Sequence, residues 1–300
     1  MNSTAVIAAR NLVKRYGPLE VVRGIDFTVP KGQCFGLLGP NGAGKSTTMR
    51  MIMGLAEITA GELTVFGVSA SEMTREVKAK IGLVPQDSNL DPDITVLENL
   101  EAFGRYFALP AAVVAERAER LLEFMQLGEK RRAPVNALSG GMKRRLTIAR
   151  ALIGDPELVI LDEPTTGLDP QARVLIWKQL GELKKQGRTL LLTTHYMDEA
   201  QRLCDQIVII DNGTVLDRGT PEELIARHVR GFVFEVQKPA LATSATARWD
   251  QEDIGDSVLY FVDETAEFIA DLPPDAVYLH RPANLEDVFL RLTGRKLREN

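Results

Sequence analysis

The sequence predicts an α/β fold, with a mixed or parallel central sheet, an N-terminal antiparallel β subdomain, an inserted all-helical subdomain and a small α+β C-terminal extension. The first supporting observation is that short apolar runs alternate with helical patterns, which is typical of a parallel sheet covered by helices. One of these runs, 158–161, is apolar throughout, as expected for a strand buried on both faces. The second observation is a long stretch, 95–127, that interrupts the alternation because its apolar residues recur only at helical spacing.

The individual elements follow from these patterns in chain order. Pro110 separates two helices within the helical stretch, since proline lacks a backbone donor and disrupts a helix interior. The sequence Asp211-Asn212-Gly213 is typical of a tight hairpin turn. We expect strands at 6–12, 21–29, 33–38, 62–66, 81–84, 158–161, 189–193 and 207–210 and one toward Leu216, and helices at 45–54, 71–80, 139–153, 171–185 and 197–204.

A change in composition near Gly231 predicts a domain boundary. We expect a main domain at 5–230 and a small α+β extension at 231–300. Within the main domain, the helical subdomain is expected at about 87–137.

The extension has its own predicted elements. The segments 232–236 and 258–262 alternate like half-buried strands, and Asn284 is a plausible N-cap of a closing helix that runs to Leu292. Two interpretations of the extension stay open: it is a structural part of the main domain, or it regulates or dimerises the protein.

Composition and charge exclude several classes of protein. Of the 300 residues, 45% are hydrophobic and 26% are charged, which is typical of a soluble globular protein. The formal net charge of -5 gives no electrostatic basis for nucleic acid binding. The N-terminus lacks the signal-peptide pattern, and no apolar run approaches the roughly 18 residues that a membrane-spanning helix requires. A role at a membrane would therefore depend on a partner.

The two cysteines, Cys34 and Cys204, lie far apart in the sequence and have no metal-ligand spacing. Both have apolar neighbours, so we predict small buried thiols, with a redox role as the alternative. A reducing compartment is consistent with this cysteine usage.

A glycine-rich loop follows one predicted strand and opens a predicted helix. Its sequence fits GxxxxGK[ST], in which glycines let backbone N–H groups approach phosphate oxygens and the helix N-terminus adds a positive partial charge. Lys45 supplies a full positive charge to the β- and γ-phosphates, and Ser46 offers a hydroxyl to Mg²⁺. This loop predicts a P-loop NTPase without indicating its family. Its predicted nucleotide-binding residues are Gly39, Pro40, Asn41, Gly42, Ala43, Gly44, Lys45, Ser46 and Thr47.

Two acidic residues end the apolar strand at 158–161. Because ligands of α/β proteins bind at the carboxyl edge of the sheet, Asp162 is predicted to hold Mg²⁺ through water. Glu163 is one residue further and is a candidate catalytic base for the water that attacks the phosphate.

The sequence Leu138-Ser-Gly-Gly-Met142 lies shortly before the strand that ends in Asp162. Together with the phosphate loop it resembles the signature sequence of ABC ATPases, and other elements of that family match in order over about 5–228. The resemblance implies that Ser139, Gly140 and Gly141 bind the nucleotide and that the substrate is ATP with Mg²⁺.

Four further sites take their roles from the same resemblance. Tyr16 resembles the aromatic residue that stacks on adenine. Gln86 resembles the glutamine that links the Mg²⁺ site to the helical subdomain, as a metal-binding and catalytic residue. His195 resembles the histidine that contacts the γ-phosphate, and 167–169 resembles the loop that crosses the dimer interface. The implied catalytic set is Lys45, Gln86, Glu163 and His195.

Longer matches narrow the subfamily. The segments 89–92, 104–107, 142–146 and 164–170 are similar to drug-efflux, polysaccharide-export and nodulation-factor-export ATPases, the last most closely. The segment 282–294 extends that similarity into the C-terminal extension.

The resemblance also implies partners. One signature and one phosphate loop imply a head-to-tail homodimer, in which Ser139 of each copy completes the ATP site of the other. ATP closes this dimer and hydrolysis reopens it, and the helical subdomain transmits the motion to a polytopic membrane permease subunit. The chain is then expected at the cytoplasmic face of the inner or plasma membrane, with no nucleic acid partner.

Three functions are consistent with this family resemblance. The first is the ATPase of an exporter with a drug, lipid, lipo- or polysaccharide cargo, and 89–92 and 282–294 favour it. The second is an importer ATPase, which a co-encoded solute-binding protein would indicate. The third is a soluble ABC ATPase of DNA repair or translation, but the chain lacks the long coiled-coil insertion, zinc ligands or fused second half usual in such proteins.

Overall fold

The structure, a computed structural model, describes residues 5–229, 231–238, 246 and 248–294. It divides into two compact units, Met1–Arg218 and Gly219–Asn300. The strands that begin in the first unit are β1 (Ala5–Tyr16), β2 (Leu19–Pro30), β3 (Cys34–Leu38), β4 (Ala60–Val65), β5 (Val68–Ser69), β6 (Ile81–Val84), β7 (Leu158–Asp162), β8 (Thr189–Thr194), β9 (Gln206–Asp211) and β10 (Thr214–Gly219). Its helices are α1 (Lys45–Ile52), α2 (Arg75–Ala79), α3 (Val96–Arg105), α4 (Ala111–Phe124), α5 (Gly140–Leu152), α6 (Pro170–Lys185) and α7 (Met197–Leu203).

An antiparallel sheet forms the N-terminal part of the first unit, in the order β2-β1-β4-β5. Ile7 of β1 lies opposite Val29 of β2 on one side and Val65 of β4 on the other, and all three side chains are buried. Alternate residues of β1 and β2 therefore join the main hydrophobic core while their neighbours face outward. The predicted antiparallel β subdomain is confirmed.

The central sheet has the order β10-β9-β3-β8-β7-β6. Strands β9, β3, β8, β7 and β6 are parallel. Residues Leu158–Leu161 of β7 and all of β8 are buried, because helices cover both faces of a parallel sheet. Since parallel strands end at one edge, the segments that follow β3, β7 and β8 are placed side by side.

The inserted helices pack against one another and against α5. Thr95 caps α3 with a complete capping box to Glu98, and Pro110 is the residue before α4, which explains why the helical pattern breaks there. Ser139 caps α5 through its hydroxyl, which accepts a hydrogen bond from the Met142 backbone.

The second unit contains α8 (Pro221–His228), β11 (Phe232–Gln237), β12 (Asp250–Asp253), β13 (Ser257–Val262), α9 (Thr265–Asp271), β14 (Tyr278–Pro282) and α10 (Leu285–Thr293). Its antiparallel sheet has the order β12-β13-β11-β14. Phe234, Tyr260 and Phe268 form its buried aromatic centre. Asn284 caps α10 in a capping box with Asp287, as predicted.

The predicted fold class is confirmed, and three local differences stand out. The helix expected at 71–80 is a 3₁₀ turn at Ala70–Glu72 followed by α2, because Thr74 is extended and starts a new helix by accepting a hydrogen bond from Val77. The second unit begins at Gly219, ahead of the change in composition at Gly231. The elements α8, β5, β12, α9 and β14 had no counterpart in the sequence prediction. Among the residues with described structure, no helix is both long and apolar enough to cross a bilayer.

Candidate functional site

The glycine-rich loop lies between β3 and α1, at the carboxyl edge of the central sheet. Two of its glycines are required by geometry. A Cβ atom on Gly39 would lie 2.2 Å from the Ile210 carbonyl oxygen, and Gly44 has a φ of +104° and a Cβ position 2.9 Å from the Val21 carbonyl oxygen. Asn41, Gly42 and Ser46 are exposed, so the loop presents its backbone and the start of α1 to solvent. Pro40 and Thr47 are half-buried and Ala43 is buried within it.

Lys45 is folded back into this loop with only 5% of its surface exposed. Its Nζ donates to the carbonyl oxygens of Gly39 at 2.7 Å and Pro40 at 3.1 Å. Burial lowers the pKa of Lys45, and the negative charges of Glu163 and Asp162 oppose that shift. The ammonium is therefore desolvated, and the two carboxylates favour its charged form. A bound anion would compensate it for the water that burial removes.

Glu163 and His195 meet where β7 and β8 end. The Nδ1 atom of His195 lies 3.3 Å from Glu163 Oε1, yet this buried nitrogen has no well-formed hydrogen bond to any residue that the structure describes. The nearby His195, followed by the charge of Lys45 and a hydrogen bond from Thr166, lowers the pKa of Glu163. Glu163 is consequently held as a carboxylate, the form that a general base requires.

The backbone around Glu163 is in an uncommon conformation. Its φ of +46° lies in the left-handed region, which costs free energy for a residue with a side chain. Its N–H donates to the carbonyl oxygen of Thr193 at 3.0 Å, and the Thr193 hydroxyl donates to Asp162 Oδ1 at 2.5 Å. Strand β8 therefore fixes both acidic residues from one side.

Arg144 fixes the same segment from the other side and was not singled out by sequence reasoning. This side chain of α5 is buried, and its guanidinium donates to the carbonyl oxygens of Asp162 at 2.8 Å, Glu163 at 3.1 Å and Pro164 at 2.6 Å. It also donates to the carbonyl oxygens of Pro85 and Gln86, just after β6. Burial lowers the pKa of Arg144 to about 10, which still leaves it charged at neutral pH.

Glu199 is a second group that the sequence did not reveal. It is fully buried on α7, and its Oε1 accepts hydrogen bonds from the Thr165 hydroxyl at 2.8 Å and the Trp177 indole N–H at 3.0 Å. Burial raises the pKa of Glu199. This carboxyl links the segment after Glu163 to helices α6 and α7.

Three predicted groups make no side-chain hydrogen bond to Lys45, Asp162, Glu163 or His195 within the described residues. Tyr16 is 47% exposed at the end of β1, with the Lys14 ammonium 4.7 Å from its ring centroid. Gln86 is exposed after β6, and Ser139 and Gly140 are exposed at the start of α5. The hydrogen bonds of Ser139 lie within its own helix. Gly141 faces α6, where a Cβ atom would lie 2.9 Å from Ala172.

The residues predicted for Mg²⁺ provide a small set of oxygen ligands: the hydroxyl of Ser46, the amide of Gln86 and the carboxylate of Asp162. No cluster of three or more His, Cys, Asp or Glu side chains suited to a metal occurs in the part of the chain that the structure describes. Mg²⁺ bound with a nucleotide commonly uses one or two protein ligands plus waters and phosphate oxygens. The donor set therefore fits Mg²⁺ that arrives with a nucleotide, and does not fit an all-protein metal cage.

The predicted buried thiols are confirmed. Cys34 and Cys204 are buried and free, with their sulfur atoms 3.9 Å apart. The hydrogen bond with Cys34, together with burial, raises the pKa of Cys204 well above its usual range, so the reactive thiolate is disfavoured.

Comparisons with known proteins agree with this geometry. Residues 22–166 match the family model "ABC transporter", and residues 239–294 match "Nodulation factor export protein NodI, C-terminal domain". The chain is 50% identical to the Nod factor export ATP-binding protein I of Ralstonia nicotianae over 100% of this chain and 97% of that protein. It is also 50% identical to the protein of that name from Cupriavidus metallidurans, over 99% of this chain and 100% of the relative.

Solved structures match the larger part of the chain. An ATP-binding subunit of an ABC transporter is 31% identical, with a TM-score of 0.67 over 74% of this chain and 92% of the other. A dimeric ATP-binding cassette in a post-hydrolysis state, bound to ADP and Pi, is 27% identical, with a TM-score of 0.65 over 71% of this chain and 98% of the other. With full-length relatives at this identity and a cassette fold, the chain belongs to the ABC transporter ATP-binding proteins of the nodulation-factor-export type and is the ATP-binding, ATP-hydrolysing subunit of an ABC exporter.

Proposed function

We propose that the chain hydrolyses MgATP in a head-to-tail dimer with a second copy of itself and so drives a polytopic membrane subunit. The observation that carries this proposal is the convergence of Lys45, Asp162, Glu163 and His195 at one edge of the central sheet. A buried cation, a carboxylate held in its charged form and an unsatisfied imidazole nitrogen together suit a phosphoryl group and its attacking water.

Each residue of the cluster has a role that follows from its environment. Lys45 would exchange the carbonyl oxygens of Gly39 and Pro40 for the β- and γ-phosphates, whose negative charge compensates the ammonium for the water that burial removes. Glu163 would polarise the attacking water, and His195 would contact the γ-phosphate from the end of β8. Ser46, Gln86 and Asp162 would hold Mg²⁺, which neutralises phosphate charge when it is bound. Tyr16 would stack on adenine, since its ring is exposed beside the loop that joins β1 and β2.

The exposed start of α5 supports a dimer. Helix N-termini attract anions because their first N–H groups are free and the helix dipole is positive there. Ser139, Gly140 and Gly141 occupy that position, and within the described residues the Ser139 hydroxyl accepts from Met142 of its own helix and makes no hydrogen bond to Lys45, Glu163 or His195. A second copy would supply the phosphate that this helix end binds, as the dimeric solved cassette suggests.

The membrane partner would bind the helical subdomain, about 87–137. A groove beside the exposed Gln86 would receive a short helix of that subunit and place the chain at the cytoplasmic face of the membrane. A photo-crosslinker at the exposed Asp87 should capture the membrane subunit in an ATP-sensitive manner, whereas one at the exposed Leu216 of β10 should not. Absence of any ATP-sensitive adduct from Asp87 would contradict this docking site.

The cargo would be chosen by the membrane subunit. Relatives of the chain are named for Nod factor export, so a cargo of that kind is the first to test in inverted vesicles that contain both subunits. Uptake into such vesicles that requires ATP would support export, whereas release would favour the importer alternative.

The catalytic roles are tested by Glu163→Gln. This change keeps the size of the side chain but removes the carboxylate, so we expect MgATP affinity within about twofold of the unmodified chain and a loss of turnover of about 10²-fold or more. The matched control is Glu182→Gln, which alters a half-buried carboxylate of α6 paired with Lys185 and should leave both values unchanged. Normal turnover in Glu163→Gln would remove this residue from the role of base.

A further inference from the structure

Three arginines of α5 donate to backbone carbonyl oxygens, but at different places. Arg145 donates to Met125 and Gln126 after α4, and Arg150 donates to Ser88 and Asn89. Arg144 donates to the carbonyl oxygens of Asp162 and Glu163, and among the residues that the structure describes it is the one arginine that does so.

The contacts of Arg144 join two strand ends that both belong to the ATP site. On one side are the oxygens of residues 162–164 after β7, and on the other are those of residues 85–86 after β6. The guanidinium has five N–H donors in a fixed plane, so it can hold several oxygens in one arrangement, which a flexible ammonium cannot do as rigidly. The relative position of Gln86 and Glu163 is thereby set by one side chain.

The backbone at Glu163 has a particular need for such support. Its left-handed φ of +46° is uncommon for a residue with a side chain, and such a conformation persists only where neighbouring groups enforce it. Thr193 holds the N–H of Glu163, and Arg144 holds its carbonyl oxygen. With both of its peptide groups fixed, Glu163 places its Oε1 atom 3.3 Å from Nδ1 of His195.

The position of Arg144 along α5 adds a second consequence. Ser139 caps the same helix about 7.5 Å away along its axis, from the rise of about 1.5 Å per residue. A rigid helix therefore connects the end that is proposed to bind the partner copy's ATP to the acidic residues of the chain's own site. Small displacements of catalytic groups have large effects on rate, because reacting atoms must stay near their attack geometry.

We propose that Arg144 is a positioning residue for ATP hydrolysis, which fixes the positions of Glu163 and Gln86 relative to each other. The rate of turnover then depends on Arg144, whereas the affinity for ATP does not. This inference rests on the proposed role of Glu163 as the base. Arg144 touches neither reacting atom. It acts through the backbone of the residues that do.

The test compares Arg144→Met and Arg144→Lys with Arg145→Met in the full-length chain. Steady-state hydrolysis gives kcat and KM for ATP, and titration with a fluorescent ATP analogue gives Kd. We expect Arg144→Met to lower kcat at least tenfold with Kd within about twofold, and Arg144→Lys to recover part of kcat because it keeps a charge and three donors. Arg145→Met removes the neighbouring, half-buried guanidinium of the same helix and should keep kcat within about twofold.

Thermal melting of each variant separates positioning from folding. If Arg144→Met does not fold, Arg144→Lys decides: kcat lowered at least threefold with unchanged Kd supports the proposal, and unchanged kcat overturns it. Equal losses of kcat in Arg144→Met and Arg145→Met, or a loss of nucleotide affinity that accounts for the loss of turnover, would also overturn it. Glu163→Gln, assayed in parallel, shows separately whether the base assignment fails.

Discussion

Replacing Glu199 by alanine should destabilise the first unit by several kcal/mol, whereas replacement by glutamine should not. Glu199 is fully buried and accepts hydrogen bonds from Thr165 and Trp177 through one oxygen. A buried donor that loses its acceptor costs about 1–3 kcal/mol, so the two donors together cost about 2–6 kcal/mol in the alanine variant. Glutamine keeps the accepting oxygen and replaces Oε2, which has no hydrogen-bond partner among the described residues, by an uncharged group of the same size. It should therefore cost at most about 1 kcal/mol at neutral pH.

The pH dependence separates these two variants further. Burial raises the pKa of Glu199 in the folded protein, so above about pH 4.5 the unfolded chain loses a proton that the folded protein keeps to a higher pH. The stability of the unmodified chain therefore falls as pH rises through that range, while Glu199→Gln does not titrate. Asp198 faces this carboxyl with the same sign of charge and Arg144 with the opposite sign, while the neighbouring Cys204 thiol stays neutral because its pKa is raised well above its usual range. We therefore expect the unfolding free energy of the unmodified chain to fall relative to that of Glu199→Gln as the pH rises from 5 to 8.

Urea unfolding measures both effects. Trp177 itself donates to Glu199, so its fluorescence in a Trp249→Phe background reports on this region alone, since the chain has two tryptophans. An unfolding free energy of Glu199→Ala within about 1 kcal/mol of the unmodified chain at pH 7 would refute the assigned role of the buried hydrogen bonds. A difference in unfolding free energy between Glu199→Gln and the unmodified chain that does not change with pH would refute the raised pKa.

Further predictions concern the loop, a helix and the second unit. Gly39→Ala should abolish ATP binding in a nucleotide titration, because its Cβ atom would lie 2.2 Å from the Ile210 carbonyl oxygen; retained affinity would contradict the close packing of this loop. Gly181→Ala, inside α6 with open space at its Cβ position, should stabilise the protein by about 0.5–1 kcal/mol in calorimetry, and a lower melting temperature would contradict this. Arg281→Met should destabilise the second unit by about 3 kcal/mol or more, because it leaves the buried Asp287 carboxylate without its bidentate partner; an unchanged calorimetric transition of this unit would count against it.

The sequence alone predicted those site residues whose position depends on their spacing along the chain. The phosphate loop, Asp162 and Glu163 each follow an apolar strand, and parallel strands bring their ends together wherever the sheet forms. The predicted cap at Asn284 was readable for the same reason, since a cap and its box are local in sequence.

The groups that the sequence did not reveal depend on distant segments. Arg144 lies in a run of charged residues that resembles a solvated helix face, and its partners are 18 to 59 residues away. Glu199 follows Asp198 at a helix start, where acidic residues are common, and only Trp177 and Thr165 of other segments reveal its burial. Strand β12, with the sequence Asp-Gln-Glu-Asp, shows no apolar alternation because it lies at a sheet edge and pairs through its backbone.

In the proposed dimer, Lys45 of one copy and Ser139 of another close on one ATP molecule. The mass of Glu163→Gln in sedimentation or light scattering, with and without MgATP, tests this shared site. We expect the 33.1 kDa chain alone and about twice that mass with MgATP, and we expect an added Ser139→Arg change to keep the ATP-bound protein monomeric. A monomer that binds ATP without associating, or a dimer that Ser139→Arg does not disturb, would contradict the shared site.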